Sequence, residues 1–248
     1  MKTILKKKSL YESFDFDSYE DEDENYIDAI IEYNRHRKFL ESNYIIDGPV
    51  KPYKKGGMLF IDIEGDVIVK NKKITSLTDG KFCFGKIKGN FDSSYCASLK
   101  SLEGAPTEVR GNFVCGKCIS LTSLEGAPKI VGGHFYCSSC YSLTPIKGSP
   151  KKVGWNFDCS YCKSLTTLEG APKEVGENFN CAFCSSLTSL EGAPREVGGN
   201  FYCDHCKSLK SFEGAPKKVG GNFVCAYCKS LKTINLPSTT KIKGEILK

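Results

Sequence analysis

The chain has 248 residues, 40% of them hydrophobic, and a formal net charge of +6. No apolar run approaches the ~20 residues that cross a bilayer, and no signal-peptide core follows the first lysines. That excludes a membrane-spanning class and leads us to expect a soluble, intracellular protein whose 14 Cys are reduced thiols, not a disulfide framework. Charge is uneven: residues 1–50 carry 7 Lys/Arg against 12 Asp/Glu, net −5, which leaves +11 on the rest. A basic body behind an acidic head suits nucleic acid or another anionic partner, although lysines solvated on turns account for it more simply.

Residues 1–24 are expected to be an acidic, mobile leader, because nine acidic and no basic residues fall between Glu12 and Asp28. Residues 25–56 supply a helix and a linker. Ile27, Ile30, Ile31 and Asn34 recur at helical spacing, acids lead, and Arg35, Arg37 and Lys38 close the segment as the macrodipole prefers. This amphipathic helix should pack on the end of the body or on a partner. A Gly48-Pro49 turn follows. Residues 57–90 are expected to form an N-terminal cap with one degenerate repeat. There, residues 58–63 and 67–69 flank Glu64-Gly65-Asp66 and read as a hairpin or paired strands covering the first rung. Regular repeats fill 91–234, and 235–248 is a C-terminal cap with Ile246 and Leu247 where another strand would begin.

The repeats dominate. Phe91, Phe113, Phe135, Phe157, Phe179, Phe201 and Phe223 stand 22 residues apart and mark the pattern F-x-C-x-x-C-x-S-L-x-x-L-E-G-A-P-x-x-V-x-G-N. A fixed period of this length predicts a solenoid whose coils stack ~4.8 Å apart. Within a unit, Asn-Phe-x-Cys alternates as a short strand with Phe and the first Cys inward. The second Cys and the next Leu also face in. Glu-Gly-Ala-Pro turns the chain, and Val points back into the core from the opposite wall. Ser98, Ser120, Ser142, Ser164, Ser186, Ser208 and Ser230 are expected to bond turn backbone groups. Glu125/Lys129, Glu169/Lys173, Glu191/Arg195 and Glu213/Lys217 should form exposed pairs across the turns.

This layout resembles leucine-rich repeats, with a mainly β body, an irregular convex side, a short N-terminal helix and a β cap. The C-x-S-L-x-S-L continuation is similar to the surface-protein class whose units carry F-x-x-C-x-x-L. The string from Glu64-Gly-Asp-Val through Phe84-Gly-Lys-Ile-Lys-Gly-Asn-Phe91 into S-L-E-G-A-P-x-x-V-G-G-N-F resembles uncharacterised repeat proteins of tailed bacteriophages, strongly over 57–248. The leader Glu12-Ser-Phe-Asp-Phe16 is weakly similar to theirs. One departure is that Cys fills a ladder slot where those relatives commonly have Asn. The resemblance implies a virus-encoded solenoid in the host cytoplasm or the virion, and it implies no activity.

Six C-x-x-C pairs, from Cys115/Cys118 to Cys225/Cys228, invite a zinc or iron–sulfur reading. Buried thiol columns explain them better, since the preceding unit has Ser93 in the first slot and only Cys96 in the second. A column tolerates that swap, whereas a metal site would lose a ligand. More than one equivalent of zinc in protein purified without added metal would overturn this reading. We expect no metal site, no cofactor and no small-molecule substrate. Catalysis finds little support: His36, His134 and His205 form no triad, and Asp204-His205 beside Cys203 and Cys206 offers only an isolated thiol. No phosphate loop precedes a helix.

Function is expected where the repeats differ on the outward face of the sheet. Those candidates are Asp92, Tyr136, Asp158, Asn180 and Tyr202 after the Phe, and Tyr161, Phe183, Asp204, His205 and Tyr227 between the Cys. The expected function is non-enzymatic docking of a host or viral protein. One alternative is a virion-associated structural protein anchored by its N-terminal segment. Another is nucleic-acid binding through Lys151, Lys152, Lys217 and Lys218.

Overall fold

The structure, a computed structural model, describes residues 24–248 apart from Ile234. The leader expected over 1–24 therefore lies outside the described residues, except Glu24, which begins the helix. Helix α1, Glu24–Asn43, buries Ala29, Ile30, His36 and Leu40. It sets Phe39 and His36 against Phe82, with ring centroids 6.0 and 5.7 Å apart. His36 Nδ1 also lies 2.7 Å from an Asp79 carboxylate oxygen. The helix thus packs on the end of the solenoid. Its C-terminus differs from the expectation: it runs on to Asn43 and has no basic residue in its last turn. Polar side chains serve its late carbonyls instead, Ser42 donating to Lys38 O at 2.7 Å and Asn43 to Phe39 O at 2.8 Å.

Strands β1 (Tyr44–Ile46), β2 (Val50–Lys55), β3 (Met58–Ile63), β4 (Val67–Val69) and β5 (Phe82–Ile87) follow. The expected pairing of 58–63 with 67–69 does not occur. Instead β2 and β3 form an antiparallel hairpin, and β1 lies antiparallel on β4. Gly56 and Gly57 both have positive φ, which suits a two-residue hairpin turn. Gly65 does not, and a Cβ there would sit 2.3 Å from Asp47 O, so Glu64-Gly65-Asp66 is a tight corner between two sheets.

From β4 onward the chain is a regular coil, a mainly β solenoid. One ten-stranded sheet runs from β1 and β4 through the Phe-x pairs to Ile246–Leu247. A second runs from β2, β3 and β5 through Glu108–Val109 and its equivalents to Lys241–Ile242. The wall carrying Val is thus itself a parallel sheet, one that the pattern did not announce. The 22-residue repeats pair without slippage, Phe135 opposite both Phe113 and Phe157, whereas in the cap β3 slips against β5 between Ile61 and Ile63. The entry unit spans 24 residues, pairing Val67 with Phe91, and the last spans 23, pairing Phe223 with Ile246.

The core is a set of columns. Phe91 to Phe223 stack with centroids 5.2–5.4 Å apart and planes within 15°. Each such ring stabilises the fold by about 1.5–3 kcal/mol through burial, and the stacked geometry adds about 0.5–1.5 kcal/mol. Beside it runs an amide ladder, in which Asn178 Oδ1 accepts the Asn200 N–H and Asn200 Oδ1 accepts the Asn222 N–H, both at 2.7 Å. His134 occupies one Asn slot and accepts through Nδ1 from the Asn156 N–H at 3.2 Å.

Two polar expectations need correction. Among the described residues the serine before the first Leu makes no hydrogen bond through its side chain, because turn bonding falls to the hydroxyl three residues on. Thr167 accepts the Glu169 N–H at 3.2 Å, and Ser189 and Ser211 do the same for Glu191 and Glu213 at 3.4 Å. Nor do Glu125/Lys129 and its three counterparts pair. A left-handed Gly and a Pro turn the chain between each Glu and its cation, and Glu125 meets Lys147 at 3.7 Å instead. Among the described residues no helix is long and apolar enough to cross a membrane.

Candidate binding face

Each C-x-x-C loop turns through its second intervening residue. Tyr95, Lys117, Ser139, Tyr161, Phe183, His205 and Tyr227 all have φ between +56° and +63°, a region L-residues avoid. The turn is held open by the ladder: Tyr161 N–H donates to Ala182 O at 3.0 Å, and Phe183 N–H to Asp204 O at 2.9 Å. The two Cys therefore point inward and the left-handed residue points out. Four successive rungs place rings there, with centroid spacings of 4.4 Å (Tyr161–Phe183), 4.2 Å (Phe183–His205) and 4.6 Å (His205–Tyr227). Tyr161 is 44% and Tyr227 71% exposed, so both ends of the stack face solvent. Below it a shallow hollow of about 280 Å³ is lined by Ser160, Tyr161, Asn180, Ala182, Phe183, Tyr202 and Asp204.

The candidates from the sequence divide in three. Tyr161, Phe183, His205, Tyr227, Tyr202 and Asp204 come together on this face. Asp92, Asp158 and Asn180 are tied locally, each accepting the backbone N–H two residues on, from Ser94 (2.7 Å), Ser160 (2.8 Å) and Ala182 (3.0 Å). They close the turn that presents the rings. Asp204 instead meets His205 Nδ1 at 2.8 Å, and Tyr202 Oη accepts from Asn200 Nδ2 at 2.8 Å.

Tyr136 belongs to a second aromatic group, apart from the stack at the left-handed positions. It stacks on His134 at 5.0 Å, and His134 meets Trp155 edge-on at 5.0 Å. Trp155 is the chain's one Trp and is 53% exposed. Both departures were visible, His134 in the Asn slot before Phe135 and Trp155 in a slot that is otherwise Gly or Glu.

The thiols lie on the other side of the backbone. Cys162 donates to Cys137 O at 3.3 Å, Cys184 to Cys159 O and Cys206 to Cys181 O, both at 3.2 Å. Burial raises the pKa of Cys115, Cys137 and Cys203 well above the ordinary thiol range and pushes Cys140 up to about 12. A thiol held protonated is a poor nucleophile and a poor metal ligand. Cys203 and Cys206 face the core while His205 faces out, so the ring and the sulfurs are not joined. Among the described residues no three His, Cys, Asp or Glu side chains gather as a metal would need. No protein-family model, curated protein or solved structure matches the chain.

Proposed function

We propose that the protein is a non-enzymatic binding solenoid that docks another protein on the face carrying Tyr161, Phe183, His205 and Tyr227. The observation that carries this reading is the run of four rings at left-handed positions. The backbone there favours Gly or Asn, and a bulky residue in such a conformation costs about 1–3 kcal/mol. Ser139 and Lys117 occupy the same slot on earlier rungs with the same φ, so the coil does not need a ring at this point. Rigid aromatic side chains beside a shallow hollow are the usual anchors of a protein interface. The phage-like repeat pattern makes a host factor or another viral component the partner class we favour.

The test is capture of partners from infected cells by the tagged protein and by the variant Tyr161→Ser/Phe183→Ser/Tyr227→Ser. The variant should keep a cooperative melt, because Ser139 already fills that slot, and should lose the specific partner. Undiminished capture by the folded variant would place binding elsewhere.

A further inference from the structure

Two stripes of opposite charge run side by side along the rod, away from the aromatic column. Glu103, Glu125, Glu169, Glu191 and Glu213 stack at the Leu-Glu-Gly turns, interrupted once by Lys147. Four residues on, Lys129, Lys151, Lys173, Arg195 and Lys217 stack on five successive rungs. All are exposed, and four residues of chain reach at most about 13 Å, so the stripes are close neighbours. Among the described residues none of the five cations has a carboxylate within the 4.0 Å of an ion pair, and only Glu125 of the acids has a partner, Lys147.

The basic stripe repeats its charge every ~4.8 Å over five rungs, and the acidic stripe does so on either side of Lys147, an arrangement that repels itself. The neighbouring stripe offsets it only in part, because among the described residues Glu125 with Lys147 is the one ion-pair contact that either stripe makes. A counterpart must carry the opposite sign at the same period. One strand of duplex DNA sets its phosphates at a rise of ~3.4 Å and falls out of step. A second copy of this chain matches on four rungs, Glu125/Lys129, Glu169/Lys173, Glu191/Arg195 and Glu213/Lys217, and sets like charges together on one, Lys147/Lys151.

We infer that this edge is a self-association surface, joining two copies side by side, parallel, with their rungs in step. The symmetry follows from the order of the stripes. A twofold axis parallel to the rod lays the acidic stripe of each copy over the basic stripe of the other. A twofold axis across the rod would set acid on acid and base on base. Both rows then pair across the axis, Glu169 beside Lys173 of a second copy and Glu191 beside its Arg195. The aromatic face is left uncovered in both copies, so this proposal and the docking reading stand or fall separately.

Sedimentation velocity of the full chain tests it. The expected result is a dimer at low ionic strength that dissociates towards about 1 M salt, where screening shortens to ~3 Å. Lys173→Glu/Arg195→Glu/Lys217→Glu sets acid against acid on three rungs, and Glu169→Lys/Glu191→Lys/Glu213→Lys sets base against base on the same three. Each variant alone should be monomeric, and an equimolar mixture should recover the dimer. Should a triple variant lose its far-ultraviolet spectrum, Arg195→Glu alone carries the test, with association weakened about tenfold. A monomeric wild-type chain at low salt, or a mixture that fails to associate, overturns the proposal. So does a wild-type monomer that retains DNA or RNA in a salt-dependent way, which would assign the basic stripe to a polyanion.

Discussion

Cys140 and Cys228 show what the interior does to a thiol: burial pushes both up to about 12. In the unfolded chain the same groups ionise near ~8.5. Between those limits the unfolded state gives up protons that the folded state keeps, so stability falls as pH rises. Each such thiol contributes a loss of about 1.4 kcal/mol per pH unit in that window. We therefore expect urea midpoints that barely move between about pH 6 and 8 and drop steeply between about 9 and 11. Cys140→Ala/Cys162→Ala should lessen that slope while lowering stability at neutral pH. A midpoint unchanged past about pH 10 would mean that the thiols are not buried as described. The columns themselves were legible in the sequence, because Ser93 showed that one slot accepts an oxygen in place of sulfur. The roles of Asp92, Asp158 and Asn180 were not. Asp and Asn serve equally as exposed anchors and as acceptors for a backbone N–H two residues on, and only the turn geometry separates the two.

At the scale of one coil, the glycine after each Val decides how closely rungs can stack. A Cβ on Gly176 would lie 1.8 Å from Gly154 O, and one on Gly198 would lie 1.9 Å from Gly176 O. Gly176→Ala should destabilise the rod by about 1–3 kcal/mol as the rungs are forced apart. Arg110 holds the equivalent place one rung before Gly132, where the column begins, and offers a tolerant control: Arg110→Ala should shift the thermal midpoint little. Equal losses for the two variants would show that stacking distance is not the cause. The first sheet was readable because Phe, Cys and Leu recur in step. The second was not, because Glu174–Val175 and its equivalents are two residues long and show no alternation. The helix end was misjudged for a related reason: Arg35, Arg37 and Lys38 look like a terminus, yet Arg37 is bonded to Glu41 at 2.6 Å within a helix that continues.

Across the whole molecule the N-terminal segment closes the solenoid. Helix α1, β1 and the β2–β3 hairpin cover Phe82, Phe84 and the edges of both sheets, and Tyr44 Oη donates to Leu77 O beneath them. A chain beginning at Asp66 should expose those rings and two unpaired edges, and light scattering should show it aggregating at concentrations where the full chain stays dispersed. A truncated chain that stays clear would mean the cap is dispensable. The need for cover was evident from the repeats, but its wiring depended on Gly56-Gly57 and on the backbone approach at Gly65, which the order of residues does not reveal. Because each coil touches only the coils before and after it, the molecule also has a mechanical character. Stretched between its ends it would peel one rung at a time, each lost coil releasing about 75 Å of chain. The rod is then a row of nearly identical fuses, its extension under load advancing in even steps.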